Sequence, residues 1–144
     1  MNPNIGVYSV IASAVIAIAS LFAPLISGLI NDSAKWKREA KAIELRNIDE
    51  KMVALLEILS KFRSGSVVSA TQQQPVEETY STMLSRYYSW ERVIWSRLNN
   101  ADRLRVKELR AEFECGNYQT FYDKTPVLSD KILGLTNIAS ESID

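Results

Sequence analysis

The feature that most constrains this chain is a run of 26 consecutive residues without a charged side chain, residues 5–30. As a helix the run is about 39 Å long at about 1.5 Å per residue, which exceeds a hydrocarbon core of about 30 Å. A secretory signal needs a basic N-terminal region and an apolar core of only about 7–15 residues. The four preceding residues, MNPN, contain no Lys or Arg. We therefore predict a transmembrane helix, assigned to residues 1–31, and not a signal peptide.

The charges that flank the run predict its orientation. No Lys or Arg precedes it, whereas Lys35, Lys37, Arg38 and Lys41 follow it closely. Basic residues are enriched on the cytoplasmic side of membrane helices. We expect a single-pass protein of a bacterial inner membrane, with the N-terminus outside and the C-terminal part in the cytosol.

The run also separates large side chains from small ones. Bulky residues recur at steps of three and four from Ile5 to Leu29. Small residues and one proline follow another face, where Pro24 removes a backbone hydrogen bond and favours a bend. The residues of this small-residue face are Ser9, Ser13, Ala17, Ser20, Pro24 and Ser27.

Two interpretations of the small-residue face remain open. In the first, helices pack tightly through it, and each hydroxyl donates a hydrogen bond to the carbonyl four residues earlier in its own helix. In the second, a ring of identical helices presents the serines to water and forms a pore. A single span has no second helix of its own to pack against. The face therefore predicts a homo-oligomer, a tetramer or thereabouts, or a partner helix from another protein.

The remaining sequence predicts helices. An amphipathic connecting helix is expected over residues 32–63, a linker over residues 64–74, and a cytosolic helical domain over residues 75–144, with helices from Pro75, from Asp102 and from Thr125-Pro126. The fold class is all-α, with about four helices after the span. Residues expected to face the core at helical spacing are Leu45, Ile48, Met52, Leu55, Leu59, Phe62, Tyr80, Met83, Tyr87, Trp90, Ile94, Leu104, Leu109, Phe113, Leu128, Ile132, Leu135 and Ile138.

The composition excludes several classes of enzyme. The chain has no His, one Cys and five scattered Gly residues. It therefore lacks a His-dependent nucleophile pair, a Cys-rich metal site and a glycine-rich phosphate loop. We predict no catalytic residues, no metal and no cofactor.

One segment stands out as a candidate ligand site. Residues 86–110 contain seven basic and three acidic side chains in a chain whose formal net charge is zero. Arginine binds phosphate oxygens and aromatic rings stack on bases, so a nucleotide or single-stranded nucleic acid is one candidate ligand. The alternative is structural, with aromatic residues in the core and arginines paired with acids. The candidate ligand-binding residues are Arg86, Tyr88, Arg92, Trp95, Arg97 and Arg103.

The layout of the span, its basic flank and the segment rich in arginine and aromatic residues resembles the small single-span membrane effectors of bacterial anti-phage systems, a layout that phage holins and membrane adaptors share. This resemblance implies an oligomeric protein that disrupts the membrane in response to a nucleotide signal. Two functional hypotheses follow. The first is a homo-oligomeric channel or pore gated through the cytosolic domain. The second is a membrane-anchored scaffold or adaptor that recruits a cytosolic protein regulator or partner.

Overall fold

The computed structural model describes the backbone of residues 3–64 and 73–143 and the side chains of residues 13–64 and 77–143. Within those residues it contains helices and no strand, so the expected all-α class is confirmed. The four helices are α1 (Pro3–Arg63), α2 (Gln73–Trp95), α3 (Asn100–Cys115) and α4 (Tyr118–Glu141).

The first helix is continuous where the sequence predicted two. α1 passes through Pro24 and through the polar residues Asp32 and Ser33, where the predicted connecting helix of residues 32–63 was expected to begin. A proline removes one hydrogen bond of the helix, whose turns on either side remain bonded. Asp and Ser cap a helix only where the chain before them is not helical. Because the apolar run is already helical, no helix end forms at residue 31.

The chain divides into two compact units, Met1–Ala42 and Ile43–Asp144. The first unit contains the apolar run and its basic flank. The second contains the C-terminal part of α1 together with α2, α3 and α4. The boundary falls inside the predicted connecting helix of residues 32–63, whose second half is therefore part of the helical domain. Most of the predicted linker, residues 65–72, lies outside the described residues.

A single hydrophobic core holds the four helical segments of the second unit together. The core-facing residues predicted in α1 are confirmed, since Ile48, Leu55, Leu59 and Phe62 are buried, and Leu45 and Met52 pack against the core while partly buried. Leu104 was expected to face the core and is 59% exposed, so that prediction is wrong. The buried positions that the other helices contribute are Met83, Tyr87, Trp90, Ile94, Val106, Leu109, Phe113, Phe121, Leu128, Ile132, Leu135 and Ala139.

Asparagine caps fix the starts of α3 and α4. The side chain of Asn99 accepts a hydrogen bond from the backbone N–H of Asp102 at 2.9 Å, and that of Asn117 accepts one from Thr120 at 3.0 Å. These bonds satisfy amide groups that would otherwise have no partner at a helix start. The last helix therefore begins at Tyr118, and the start predicted at Thr125-Pro126 is wrong. Pro126 lies inside α4 on its exposed side, where water can bond the carbonyl that loses its partner.

Candidate functional site

The apolar part of α1 is exposed over residues 13–30, the portion whose side chains the structure describes. Among the described residues, α1 contains the one stretch that is long and apolar enough to cross a membrane, judged by length and composition, and none of that stretch is buried. Nine large apolar side chains between Val15 and Ile30 are 53–72% exposed. The bundle core begins at Ile48 and includes none of them.

The small-residue face of α1 is exposed along its described length. Ser13, Ser20 and Ser27 lie seven residues apart, which is nearly two turns, so they share one face. The hydroxyl of Ser20 donates to the carbonyl of Ile16 at 2.8 Å. This hydrogen bond to its own helix leaves the lone pairs of the hydroxyl oxygen as acceptors. Ala17 and Pro24 are exposed on the same side, and the side chain of Ser9 lies outside the described residues.

Two arginines of the basic segment are directed towards α1. Arg97 forms a two-pronged ion pair with Glu44, with N–O distances of 2.7 and 2.6 Å. Arg86 donates to the carbonyl of Ala54 at 2.8 Å and lies 3.9 Å from Glu57. Bidentate arginine–carboxylate pairs fix geometry as well as adding energy. These contacts hold the C-terminal part of α1 against α2.

Two further arginines pair with acids of α2 and α3. Arg110 forms a two-pronged pair with Glu91, a carboxylate that is only 5% exposed, and Arg105 lies 3.2 Å from Asp102. The hydrogen bond to Glu91 raises the pKa of Arg110, which keeps its charge fixed. Each pair neutralises a carboxylate that is nearly buried. A buried carboxylate without a positively charged partner destabilises the fold.

The aromatic residues of α2 divide between the core and the surface. Tyr87 is buried, and its hydroxyl donates to the carbonyl of Val106 at 2.9 Å. Burial raises the pKa of Tyr87 far above its usual value, so this phenol stays neutral. Tyr88, one residue on, is 40% exposed and donates to Glu114 at 2.5 Å, which raises its pKa. Tyr87 therefore serves the core, and Tyr88 lies on the surface between α2 and α3.

Trp95 separates two shallow clefts. One, of about 340 Å³, is lined by Trp95 with Tyr88, Glu91, Arg92 and Arg110. The other, of about 310 Å³, is lined by Trp95 with Asn100, Arg103, Leu104 and Lys107. The guanidinium carbon of Arg103 lies 5.4 Å from the centre of the indole ring, and the Nζ atom of Lys107 lies 6.0 Å from it. The Nε–H group of Arg103 also donates to the Trp95 carbonyl at 3.1 Å.

The structure therefore brings together four of the six residues predicted to bind a ligand. Tyr88, Arg92, Trp95 and Arg103 line the two clefts, whereas Arg86 and Arg97 contact α1 instead. Sequence reasoning missed Lys107, although its position four residues after Arg103 places both on one face of α3. It also missed Glu44 as the partner of Arg97, a pairing across 53 residues that no local pattern indicates.

Comparisons of this chain with protein-family models, curated proteins and solved structures find no match.

Proposed function

We propose that this chain is a homo-oligomeric membrane channel, with residues 5–30 crossing the bilayer and the helical bundle acting as a cytosolic gate. The observation that carries the proposal is the exposure of the apolar side chains of residues 13–30 in α1, while the bundle closes its own core without them. Burying one Val, Leu, Ile or Phe side chain contributes about 1.5–3 kcal/mol. A bilayer provides that burial for all nine exposed side chains of this segment.

The different sizes of the side chains on the two faces support an assembly of several copies. Lipid tails contact large and small side chains alike, so an isolated span gains nothing from segregating them. Bulky side chains such as Phe22 and Leu29 then face lipid, and the serines face neighbouring helices or a central pore. A ring of about four copies places one serine from each copy at the same depth. Because the span contains no charged ring, we expect a channel with weak ion selectivity.

The test is ion flux from liposomes that contain the purified full chain. We compare the wild type with Ser13→Leu/Ser20→Leu and with a matched control, Val15→Leu/Phe22→Leu. The control changes two positions at the same spacing on the opposite face. We expect flux through the wild type and the control, and none through the serine variant, because leucine side chains would fill the pore. Equal flux through both variants would contradict a pore lined by the serines.

A membrane-anchored adaptor is the second candidate function, and the hydrogen bond of Ser20 favours it. A hydroxyl bonded to its own helix at 2.8 Å is typical of a span that only packs. Arg86 and Arg97 are engaged with α1, which suits a rigid scaffold. An adaptor would give oligomers of the same mass as the channel but no flux from the wild type or from either variant.

A further inference from the structure

The basic charge of residues 86–110 is not evenly neutralised. Four of its seven cations lie within 4.0 Å of a carboxylate, namely Arg86, Arg97, Arg105 and Arg110. Among the residues that the structure describes, Arg92, Arg103 and Lys107 have no such partner. The segment therefore has three cations that form no ion pair with the carboxylates of residues 3–64 and 73–143.

These three cations surround one side chain, Trp95. Arg103 and Lys107 contact its ring from α3, and Arg92 shares the neighbouring cleft with it from α2. The third acid of the segment, Glu108, lines a separate groove between α3 and α4 with Arg105 and Lys131. Glu91 lines the cleft of Arg92, where Arg110 pairs with it. Like charges repel, an anion bound between them offsets that repulsion by attracting both, and the two clefts beside Trp95 are open to anions from solvent.

We infer that Arg92, Arg103 and Lys107 form a binding site for phosphate groups, with Trp95 as the wall shared by its two clefts. Guanidinium and ammonium groups are the side chains that bind phosphate oxygens in proteins. Trp95 already contacts two cations, so its ring positions them and does not stack on a base. The ligand is recognised by its phosphates alone. The site is independent of the proposed channel, because binding needs neither a pore nor a particular number of copies.

The test is a calorimetric titration of the full chain, in a neutral detergent, with tripolyphosphate. Lys107→Gln and Arg92→Gln each remove one cation of the site. Arg105→Gln is the matched control, because it removes the same charge from an exposed position of α3 that is paired with Asp102. We expect each site variant to weaken binding about tenfold, because it loses a hydrogen bond to a charged group. The control should change the affinity by less than about twofold.

Lys107 and Arg92 are exposed and have no ion pair among the described residues, so we expect their variants to retain the fold. Circular dichroism verifies this for both site variants and for Arg105→Gln, which leaves Asp102 without its partner. A second titration uses a short-chain phosphatidic acid, and a third uses adenosine triphosphate. Binding of phosphatidic acid but not tripolyphosphate would identify a lipid headgroup as the source of the phosphate. The inference is overturned if neither binds, if Arg105→Gln weakens binding as much as Lys107→Gln, or if adenosine triphosphate binds much more tightly than tripolyphosphate. Binding without ion flux would contradict the channel and leave this site intact.

Discussion

At the scale of single residues, Trp90 shows how the bundle accommodates a polar group in its core. The side chain is fully buried, and its indole N–H donates to the hydroxyl of Thr136 at 2.9 Å. That hydroxyl in turn donates to the carbonyl of Ile132 at 2.7 Å. Thr136 therefore accepts and donates at once, and it links α2 to α4. A second buried threonine, Thr125, donates to the carbonyl of Phe121 and accepts nothing among the described side chains.

This difference predicts unequal costs for the same substitution. Thr136→Val leaves the Trp90 N–H buried without an acceptor, and we expect a loss of about 1–3 kcal/mol in the free energy of unfolding. Thr125→Val removes a donor whose acceptor keeps its helical hydrogen bond, and we expect a loss below about 1 kcal/mol. Denaturant unfolding followed by circular dichroism measures both. Equal losses would show that the Trp90 hydrogen bond contributes little.

Residue spacing predicted most of the core, and its failures have physical reasons. Tyr87, Trp90 and Ile94 are buried as their spacing indicated. Leu104 is not, because the buried face of α3 is set by Val106 and the residues three and seven positions after it. Leu104 lies two residues before Val106 and therefore on nearly the opposite side of the helix. The spacing of apolar residues within one helix does not show which of two apolar faces packs against the other helices.

At the scale of elements, the helix ends depend on tertiary contacts that short motifs do not specify. The last helix was predicted to begin at Thr125-Pro126, because proline favours the first turn of a helix. Asn117 caps it earlier, after a connection of two residues from Cys115. That connection contains Gly116, which lies against the ring of Phe121. A Cβ atom built at Gly116 would be 2.5 Å from that ring and 2.8 Å from the carbonyl oxygen of Glu112.

Gly116, in the connection after α3, and Gly134, inside α4, therefore predict opposite effects for the same substitution by alanine. Gly116→Ala forces the Phe121 ring or the backbone to move, and we expect a loss of about 1–3 kcal/mol in stability. Gly134→Ala, inside α4, meets no atom within 4 Å and should gain about 0.5–1 kcal/mol, because alanine favours the helix. Thermal unfolding of both variants provides the measurement. An unchanged stability of the Gly116→Ala variant would mean that the Phe121 ring can move without a cost in free energy.

At the scale of the whole molecule, the distribution of charged and apolar residues predicted more of the fold than local motifs did. The uncharged run of residues 5–30 and the helical spacing after it predicted the all-α class and an apolar N-terminal helix, both of which the structure contains. The division at Ala42 was not predictable, because it depends on which part of α1 the other helices cover. The candidate ligand site could be predicted only in part. The arginine content locates the segment, but only the fold shows which of its arginines form ion pairs with acidic residues.

At the scale of the whole molecule we also propose that the exposed apolar helix lies in a membrane, and two pairs of arginine substitutions test this. Ile18→Arg/Phe22→Arg places charges near the middle of the run, at a cost of about 2.5–3.5 kcal/mol for each arginine in a bilayer. Leu104→Arg/Val127→Arg adds the same charges at positions of the bundle that are 59% and 53% exposed.

We expect the first double variant to be largely extracted from bacterial membranes by alkaline carbonate, because water solvates its arginines and the bilayer core does not. The second should stay in the membrane pellet like the wild type, since its arginines replace side chains that the bundle already exposes. Retention of both variants would contradict a span centred on residues 18–22. Extraction of both would mean that added charge alone releases the protein, whereas a difference between them would locate the membrane at the apolar part of α1.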